Sequence, residues 1–220
     1  MSDALDFERL KSRQRAIRDG FPTHLALRVH RALSWLQRAE LAGEDLDAAF
    51  IFYWIAFNAA YADERPDVTA TGERSCFSDF FGRVGNLDPQ RRVYAALWQR
   101  FPASIRLFLD NKYVFQPFWN HQNGLPGNAD WEERFERSRR RIHRALAERD
   151  TPVILTCLFD RLYVLRNQLV HGGATWNSSV NRQQVGDGAR IMAFLVPLFI
   201  DIMMDHPQSD WGAPYYPVVE

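Results

Sequence analysis

The chain has 220 residues, of which 46% are hydrophobic and 25% are charged. This length and composition are typical of one globular domain, or of one domain with a sizeable insertion, and they allow a full core to be buried. The 27 basic residues balance 27 acidic ones, which excludes a strongly basic nucleic-acid coat but permits a local basic groove, because patches rather than totals set the field near a site.

Cysteine and lysine usage narrows the class of protein further. Cys76 and Cys157 are too few and too far apart for a disulfide framework or a thiolate metal site, so we expect a reducing, cytoplasmic location. Residues 1–18 alternate acid and base without an apolar centre, which predicts that they are no signal peptide. Lys11 and Lys112 are the only lysines; codon bias is the favoured explanation for the abundance of arginine, over selection for phosphate binding.

Helical periodicity dominates, and no alternating strand pattern stands out, so we predict an all-α fold. A short, highly charged helix is expected over residues 7–18, ending at Gly20. A second helix is expected over residues 23–42, with Thr23 as its N-cap.

A third helix, over residues 46–62 with Asp45 as its cap, is apolar almost all round. Such a helix must be covered on most sides by its own fold or by a partner. The helical pattern then weakens between residues 63 and 129. We predict a loop over 63–75, short helices over 77–84, 89–100 and 103–111, and an irregular stretch over 115–129. We interpret 63–129 as an insertion or lid on a helical core, and its many aromatic residues indicate that it packs against something.

The helical pattern returns over residues 131–148, which are crowded with arginines. A solvated charged face is the favoured interpretation, and an electrostatic track for a polyanion is the alternative. The next helix opens at Thr151 as N-cap, with Pro152 in its first turn, and continues to His171 before a glycine stop.

The last helix is expected over residues 179–205 with a kink near Pro197, followed by an extended tail. Its most apolar part, residues 191–204, is too short and too interrupted to cross a membrane and predicts a buried helix. The fold is therefore expected to have no membrane contact.

The end of the helix 151–171 carries the candidate functional side chains. Arg166, Asn167 and His171 supply a permanent cation, a carboxamide and a group that titrates near neutral pH, which are the groups needed to hold a phosphate and move protons around it. Chance alone can supply this Arg-x4-His spacing. For an arbitrary protein the favoured interpretation is structural, with His171 at the negative end of the helix dipole and Arg166 on the surface.

Helix geometry gives this segment two faces. Leucines recur every three or four residues and predict a seam that faces the core; they are Leu155, Leu158, Leu162, Leu165 and Leu169. At about 100° per residue, the opposite face collects Asp160, Val164, Asn167 and His171. Arg166 lies about 140° from His171. A straight helix therefore does not aim both side chains at one point. For them to act together, either the last turn distorts, or the long arginine side chain spans the angle, or the site joins groups from two chains.

The segment Leu165 to Gly172 resembles the HEPN superfamily, the all-helical domains of prokaryotic toxins, defence systems and nucleotidyltransferase partners. The family motif is an Arg, usually a polar residue after it, and a His four to six positions after the Arg; Arg166, Asn167 and His171 match it. Residues 52–61 are similar to a core helix common in the family. The resemblance covers roughly residues 23–62 and 151–206, and the region 63–129 matches nothing in it.

The resemblance implies an up-and-down helical bundle that dimerises about a two-fold axis and brings two motifs into one cleft. It implies metal-independent RNA cleavage of toxin or defence type, in which the ribose 2′-hydroxyl attacks the adjacent phosphate. His171 would transfer protons, Arg166 would hold the phosphate, and Asn167 would orient the histidine or the phosphate. RNA is the implied substrate, and an antitoxin or a nucleotidyltransferase is an implied partner.

No metal and no cofactor are expected. The other histidines have no acidic or cysteine partner in a ligand pattern and are predicted to be structural or superficial; they are His24, His30, His121, His143 and His206. The chain has no phosphate loop, dinucleotide glycine pattern or nucleophile elbow. Besides the endoribonuclease, two hypotheses stay open: a non-catalytic helical module that binds nucleotide, RNA or protein, and a structural dimer in which the motif serves packing.

Overall fold

Helices joined by short connections make up the fold, and the described residues contain no β-strand, which confirms the all-α prediction. The computed structural model describes residues 5–62, 70–214, 216 and 218, with only the backbone described over 70–76. The helices are α1 (Phe7–Ile17), α2 (Thr23–Glu40), α3 (Leu46–Tyr61), α4 (Ala70–Asn86), α5 (Arg92–Ala95), α6 (Pro102–Leu109), α7 (Gln116–Gln122), α8 (Trp131–Glu148), α9 (Thr151–Val170) and α10 (Arg182–Asp205).

Aspartate carboxylates begin several helices by accepting a free backbone N–H of the first turn. Asp45 accepts from Ala48 at 3.0 Å, as predicted for the start of α3. The prediction of Thr151 as the cap of α9 is wrong, because Asp150 takes that place and accepts from the N–H of Val153 at 3.1 Å. Thr151 is instead the first helical residue.

The start of α2 also differs from the prediction. Thr23 is the first helical residue, and Pro22 stands at the cap position without a side-chain hydrogen bond. The first-turn N–H groups of α2 therefore receive no acceptor from a capping side chain.

The middle region is more helical than its sequence pattern suggests. The loop predicted over 63–75 is wrong from residue 70 onward, where α4 begins, and residues 63–69 lie outside the described part of the chain. The irregular stretch predicted over 115–129 contains α7, whose Pro117 lies in the first turn, where a missing N–H costs nothing.

α3 lies at the centre of the fold. It packs against α2 on one side and α10 on another, with further contacts to α4 and α9. Trp54, Phe50 and Phe57 are almost completely buried, so this apolar helix is covered by its own fold. Gly188 of α10 permits the close approach, since a Cβ there would lie 3.1 Å from the Phe50 ring.

α4 belongs to this core even though it falls within the predicted insertion. It packs against α9, and Phe77 and Phe81 are at most 1% exposed. The Phe81 ring centroid lies 4.8 Å from that of Phe159 on α9 and 5.7 Å from that of Phe199 on α10. The expectation that the aromatic residues of this region pack against something therefore holds for α4, which is a core element.

Two groups of arginine contacts join distant parts of the chain. Arg28 is fully buried and donates to the carbonyls of Ala60 and Ala62 after α3, and to those of Gly212 and Ala213 in the tail. These bonds tie the C-terminal tail to the end of α3.

The second group holds α1 and α5 against the end of α10. Arg13 and Arg92 each form ion pairs with both Asp201 and Asp205, which lie one turn apart on α10. Asp88 adds a further contact to Arg92 at 3.3 Å. None of the described helices is both long enough and apolar enough to cross a lipid bilayer.

Candidate functional site

The last turn of α9 is regular and ends in a glycine-dependent cap. The N–H of His171 donates to the carbonyl of Asn167 at 3.0 Å, as in an undistorted helix. Gly172 then adopts a left-handed conformation with φ of 70°. Its N–H bonds to the Leu169 carbonyl, and the N–H of Gly173 bonds to the Gln168 carbonyl at 2.7 Å. This pair of bonds is a Schellman cap, which glycine favours because it has no Cβ.

Beside this cap lies a pocket of about 830 Å³, here called the motif pocket. Its walls come from the α9 face that carries Asn167 and His171, from α7 with the residues before it, and from the connection that leads into α10. The lining residues are Tyr113, Val114, Gln116, Trp119, Asn123, Val164, Asn167, Gln168, His171, Gly173, Ala174, Ser178, Val180, Asn181 and Gln184.

The structure brings two of the three predicted site residues together. Asn167 and His171 both line the motif pocket, together with Val164 from the same helix face. The His171 side chain is exposed to solvent. This agrees with the face expected from helix geometry.

Arg166 is the predicted site residue that does not line the pocket. Its guanidinium carbon lies 5.3 Å from the Tyr163 ring centroid and 5.9 Å from that of Trp54, on the side of α9 that faces α3. Its Nη1 nevertheless donates to Asn167 Oδ1 at 2.8 Å. Because the last turn is regular, no helix distortion brings Arg166 close to His171. Arg166 is connected to the pocket through its hydrogen bond to Asn167.

The bond from Arg166 fixes the orientation of the Asn167 amide. A guanidinium can only donate, so the atom that faces it must be the amide oxygen. The Asn167 Nδ2 group, with its two N–H donors, has no partner among the described residues. Asn167 therefore presents its amide nitrogen to the pocket as a hydrogen-bond donor.

The middle region is anchored to the motif helix through one carbonyl. The Tyr113 carbonyl accepts from Gln168 Nε2 at 2.6 Å and from Trp119 Nε1 at 2.7 Å. Gln168 belongs to the last turn of α9, and Trp119 belongs to α7. The region around α7 thus forms a wall of the motif pocket and leaves His171 open.

The third wall is tied to α3. Trp176 Nε1 donates to Asp45 Oδ2 at 3.2 Å, and Arg182 Nη1 donates to Asp47 Oδ2 at 2.6 Å and to Asn177 Oδ1 at 2.9 Å. These bonds hold the connection between α9 and α10 in place. They fix Ser178 and Asn181 at the pocket because both residues lie between the anchored positions.

The lining of the motif pocket carries no fixed charge. Among its described lining residues, none is Asp, Glu, Lys or Arg, and six are Asn or Gln. The cap position of α10 is Asn181, whose side chain makes no capping bond. Asn181 and Gln184 bring the beginning of α10 to the pocket wall.

Sequence reasoning missed most of this pocket. Gln116, Trp119, Asn181 and Gln184 line it but belong to no periodic pattern or motif. Only the concentration of carboxamides around residues 116–123 and 177–184 could have marked them. His24, His30, His121, His143 and His206 lie outside the pocket.

The described part of the chain holds no group of three or more His, Cys, Asp or Glu side chains able to bind a metal ion. Comparison of the chain with protein-family models, with curated proteins and with solved structures finds no match.

Proposed function

We propose that this chain is a metal-independent endoribonuclease of HEPN type, with RNA as its substrate. The observation that carries the proposal is that Asn167 and His171 line one pocket, with Arg166 holding the amide of Asn167. An imidazole and a positioned N–H donor are then available at the same open surface. These are the elements that cleavage of a phosphodiester by its own 2′-hydroxyl requires.

The reaction assigns a role to each group. The 2′-oxygen loses its proton and bonds to phosphorus, the bond to the 5′-oxygen breaks, and that oxygen takes up a proton; the products are a 2′,3′-cyclic phosphate and a 5′-hydroxyl. His171 serves as a proton acceptor or donor. Asn167 Nδ2 donates to a phosphate oxygen, where negative charge grows in the transition state. Arg166 positions Asn167 and adds positive charge behind it.

Two copies of the chain complete the site in this proposal. In-line attack places the entering and leaving oxygens on opposite sides of phosphorus, so one imidazole cannot serve both. A two-fold interface duplicates every group and supplies a second His171. It also allows Arg166 of the second copy to approach the phosphate.

A second candidate is a non-catalytic module that binds a nucleotide, RNA or protein in the motif pocket. The uncharged lining favours it, because a phosphate-cleaving site ordinarily has a cationic side chain within reach of the phosphate. In the single chain, Arg166 lies outside the pocket.

Cleavage of a mixed-sequence, single-stranded RNA in excess EDTA tests the first candidate. We expect products with cyclic or 3′-phosphate ends, and a loss of at least about a hundredfold in rate for His171→Ala. His30→Ala is the matched control, since His30 is exposed on α2 and outside the pocket, and its rate should be unchanged. RNA cleavage that survives in His171→Ala would contradict the proposal, whereas RNA binding without cleavage in the wild type would support the second candidate.

The shared site has its own test. Wild-type protein is mixed with an excess of His171→Ala protein, with RNA saturating, and given time to exchange subunits. If two copies form the site, the inactive variant suppresses the wild-type rate. A rate that depends only on the amount of wild-type protein would contradict a shared site.

A further inference from the structure

We propose that the motif pocket reads one unstacked nucleobase that carries an exocyclic amino group: adenine, cytosine or guanine rather than uracil. This assigns a substrate preference to the site and rests on the proposed function as regards RNA. The chemistry of the pocket carries the argument, and base binding can be measured without cleavage.

The uncharged lining selects the kind of ligand. No charged side chain lines the pocket, so a phosphate deep inside it would lose its water without forming a direct ion pair. In the proposed reaction the phosphate stays at the open edge beside the exposed His171, which leaves the interior to an uncharged group. A nucleobase is neutral and flat, and its edge carries several hydrogen-bonding groups that match carboxamides. A volume of about 830 Å³ lies within the range of small-ligand pockets.

A relay of amides fixes the polarity of Gln116. Asn128 Nδ2 donates to the carbonyls of Leu125 at 3.1 Å and Pro126 at 3.0 Å, so its oxygen faces the other way. That oxygen accepts from Asn120 Nδ2 at 3.4 Å, and Asn120 Oδ1 in turn accepts from Gln116 Nε2 at 2.9 Å. Gln116 Oε1 is left without a described protein partner, at a residue that lines the pocket.

The other walls add two further acceptors. Gln168 Nε2 is held by the Tyr113 carbonyl, which leaves Gln168 Oε1 unpartnered among the described residues. Asn181 Oδ1 is buried and has no hydrogen-bond partner. A buried acceptor without a donor is costly, and a ligand donor would remove that cost. Of the described lining carboxamides that a hydrogen bond orients, Gln116 and Gln168 present their oxygen and Asn167 presents its nitrogen.

The free hydrogen-bonding capacity is thus weighted towards acceptors, with one oriented donor. An exocyclic amino group offers two N–H donors to such a lining. The ring nitrogen or carbonyl beside it can accept one of the two N–H groups of Asn167 Nδ2, and the other N–H remains for the phosphate oxygen. Uracil presents two carbonyl oxygens and one N–H. It would leave acceptors of the pocket unpaired and place its carbonyl oxygens against the side-chain oxygens of Gln116 and Gln168. Sites built on hydrogen bonds reject ligands that leave them unpaired.

Aromatic rings at the pocket supply the stacking surface that an unstacked base needs. Trp119 is fixed by its bond to the Tyr113 carbonyl and by edge contact with Phe118, at 5.1 Å between ring centroids. The Tyr113 ring meets Phe118 at 5.5 Å and is half exposed. Both rings belong to the same wall as Gln116.

Binding of short, fluorescently labelled 2′-O-methyl oligomers to the full chain tests the proposal, because their blocked 2′-oxygen prevents cleavage. Homo-oligomers of adenylate and cytidylate should bind at least about tenfold more tightly than the uridylate oligomer. An inosine oligomer, which replaces the amino group of adenine with a carbonyl, should fall to the uridylate level. Equal affinity for all four, or measurable affinity for none, would overturn the proposal.

Gln116→Met removes the oriented acceptor at similar side-chain length. We expect affinity for the adenylate and cytidylate oligomers to fall about tenfold, with uridylate affinity unchanged. Gln183→Met is the matched control, since Gln183 is exposed and outside the pocket. The inosine comparison decides the matter even if Gln116→Met fails to fold. Base-selective binding without RNA cleavage would end the nuclease proposal and leave this one intact; cleavage without base preference would do the reverse.

Discussion

At the residue scale, Arg166 acts through its neighbour. Helix geometry predicts that Asn167 and His171 share a face, and both line the motif pocket. The direction of Arg166 could not be predicted, because a long side chain with several rotatable bonds goes where its surroundings allow. Those surroundings include Trp54, which comes from α3, more than a hundred residues earlier in the chain.

The other pocket residues were beyond sequence reasoning for a related reason. Gln116 and Asn181 come from separate segments that only tertiary packing brings to α9. The polarity of Gln116 depends on amides further along its own segment. The step from Gln116 to Asn120 is an i, i+4 contact on α7, but the steps to Asn128 depend on the turn that follows the helix, which no spacing rule describes.

The buried Arg28 gives the first stability prediction. Arg28→Met removes the donors for the carbonyls of Ala60, Ala62, Gly212 and Ala213. Leaving several buried acceptors unpaired should lower the free energy of unfolding by about 3 kcal/mol. Urea unfolding measures the change.

Arg31→Met is the control for that substitution. Arg31 also donates to a tail carbonyl, that of Tyr216, but the contact is exposed. We expect a loss below about 1 kcal/mol, because solvent can replace an exposed bond. Equal losses for the two variants would show that the burial of Arg28 has no special part in stability.

At the element scale, the long helices follow from periodicity and from stop signals. The predicted bounds of α8 match the observed Trp131–Glu148, and those of α3 and α9 differ from the observed helices by a residue at the C-terminal end. The short helices were harder to predict from the sequence, because one or two turns have too few residues to show a helical period. α4 was partly missed because residues 70–75 are polar and small, and the packing of the later residues decides its conformation.

The glycine stop after α9 gives the second prediction. A Cβ at Gly173 would lie 3.0 Å from the Gln168 carbonyl oxygen, and that oxygen is backbone. Gly173→Ala must therefore shift the cap and should cost about 1–2 kcal/mol of unfolding free energy. It should also weaken oligonucleotide binding, since Gln168 and His171 move with the cap.

Gly82→Ala is the control on another helix. Gly82 lies inside α4, and a Cβ there meets nothing within 4 Å. Alanine should raise stability by up to about 1 kcal/mol because it favours the helix. Thermal unfolding of the two variants should therefore move in opposite directions, and a shift in the same direction would contradict this account of the cap.

At the scale of the whole molecule, the core unites segments that the sequence seemed to separate. The aromatic cluster joins Phe57, Phe81, Phe159 and Phe199 from α3, α4, α9 and α10. Aromatic content alone indicated that the middle region packs against something. It could not show that α4 occupies the centre, because the partners of a helix are set by three-dimensional packing. The up-and-down order within a HEPN-type bundle, and the status of 63–129 as an insertion, stay predictions.

The ion pairs at the end of α10 predict how stability depends on pH. Burial acts to raise the pKa of the Asp205 carboxyl, but hydrogen bonds from Arg92 and Arg13 outweigh burial and hold that pKa below its ordinary value of 3.8. A lowered folded-state pKa stabilises the fold above the unfolded-state pKa, and this stabilisation is lost as pH falls through the folded-state pKa.

Arg92→Met tests this dependence. At neutral pH we expect a loss of about 1 kcal/mol, since Asp205 is partly exposed and solvent screens the pair. The difference from the wild type should shrink as the pH falls below 3.8. Arg15→Met, on the exposed side of α1, should show no such convergence. A difference that stays constant down to strongly acidic pH would contradict the role of the carboxylates.

The uncharged lining of the motif pocket has a consequence for how salt affects binding. Affinity that comes from phosphate contacts falls steeply with ionic strength, because each contact releases a condensed counterion. A base held by carboxamides releases none. The discrimination between adenylate and uridylate oligomers should therefore stay constant as salt rises, even while the affinity for both declines. The slope of that decline is proportional to the number of phosphates that cationic side chains neutralise outside the pocket. The exposed Arg140, Arg141 and Arg144 of α8 are the first side chains to substitute in measuring it.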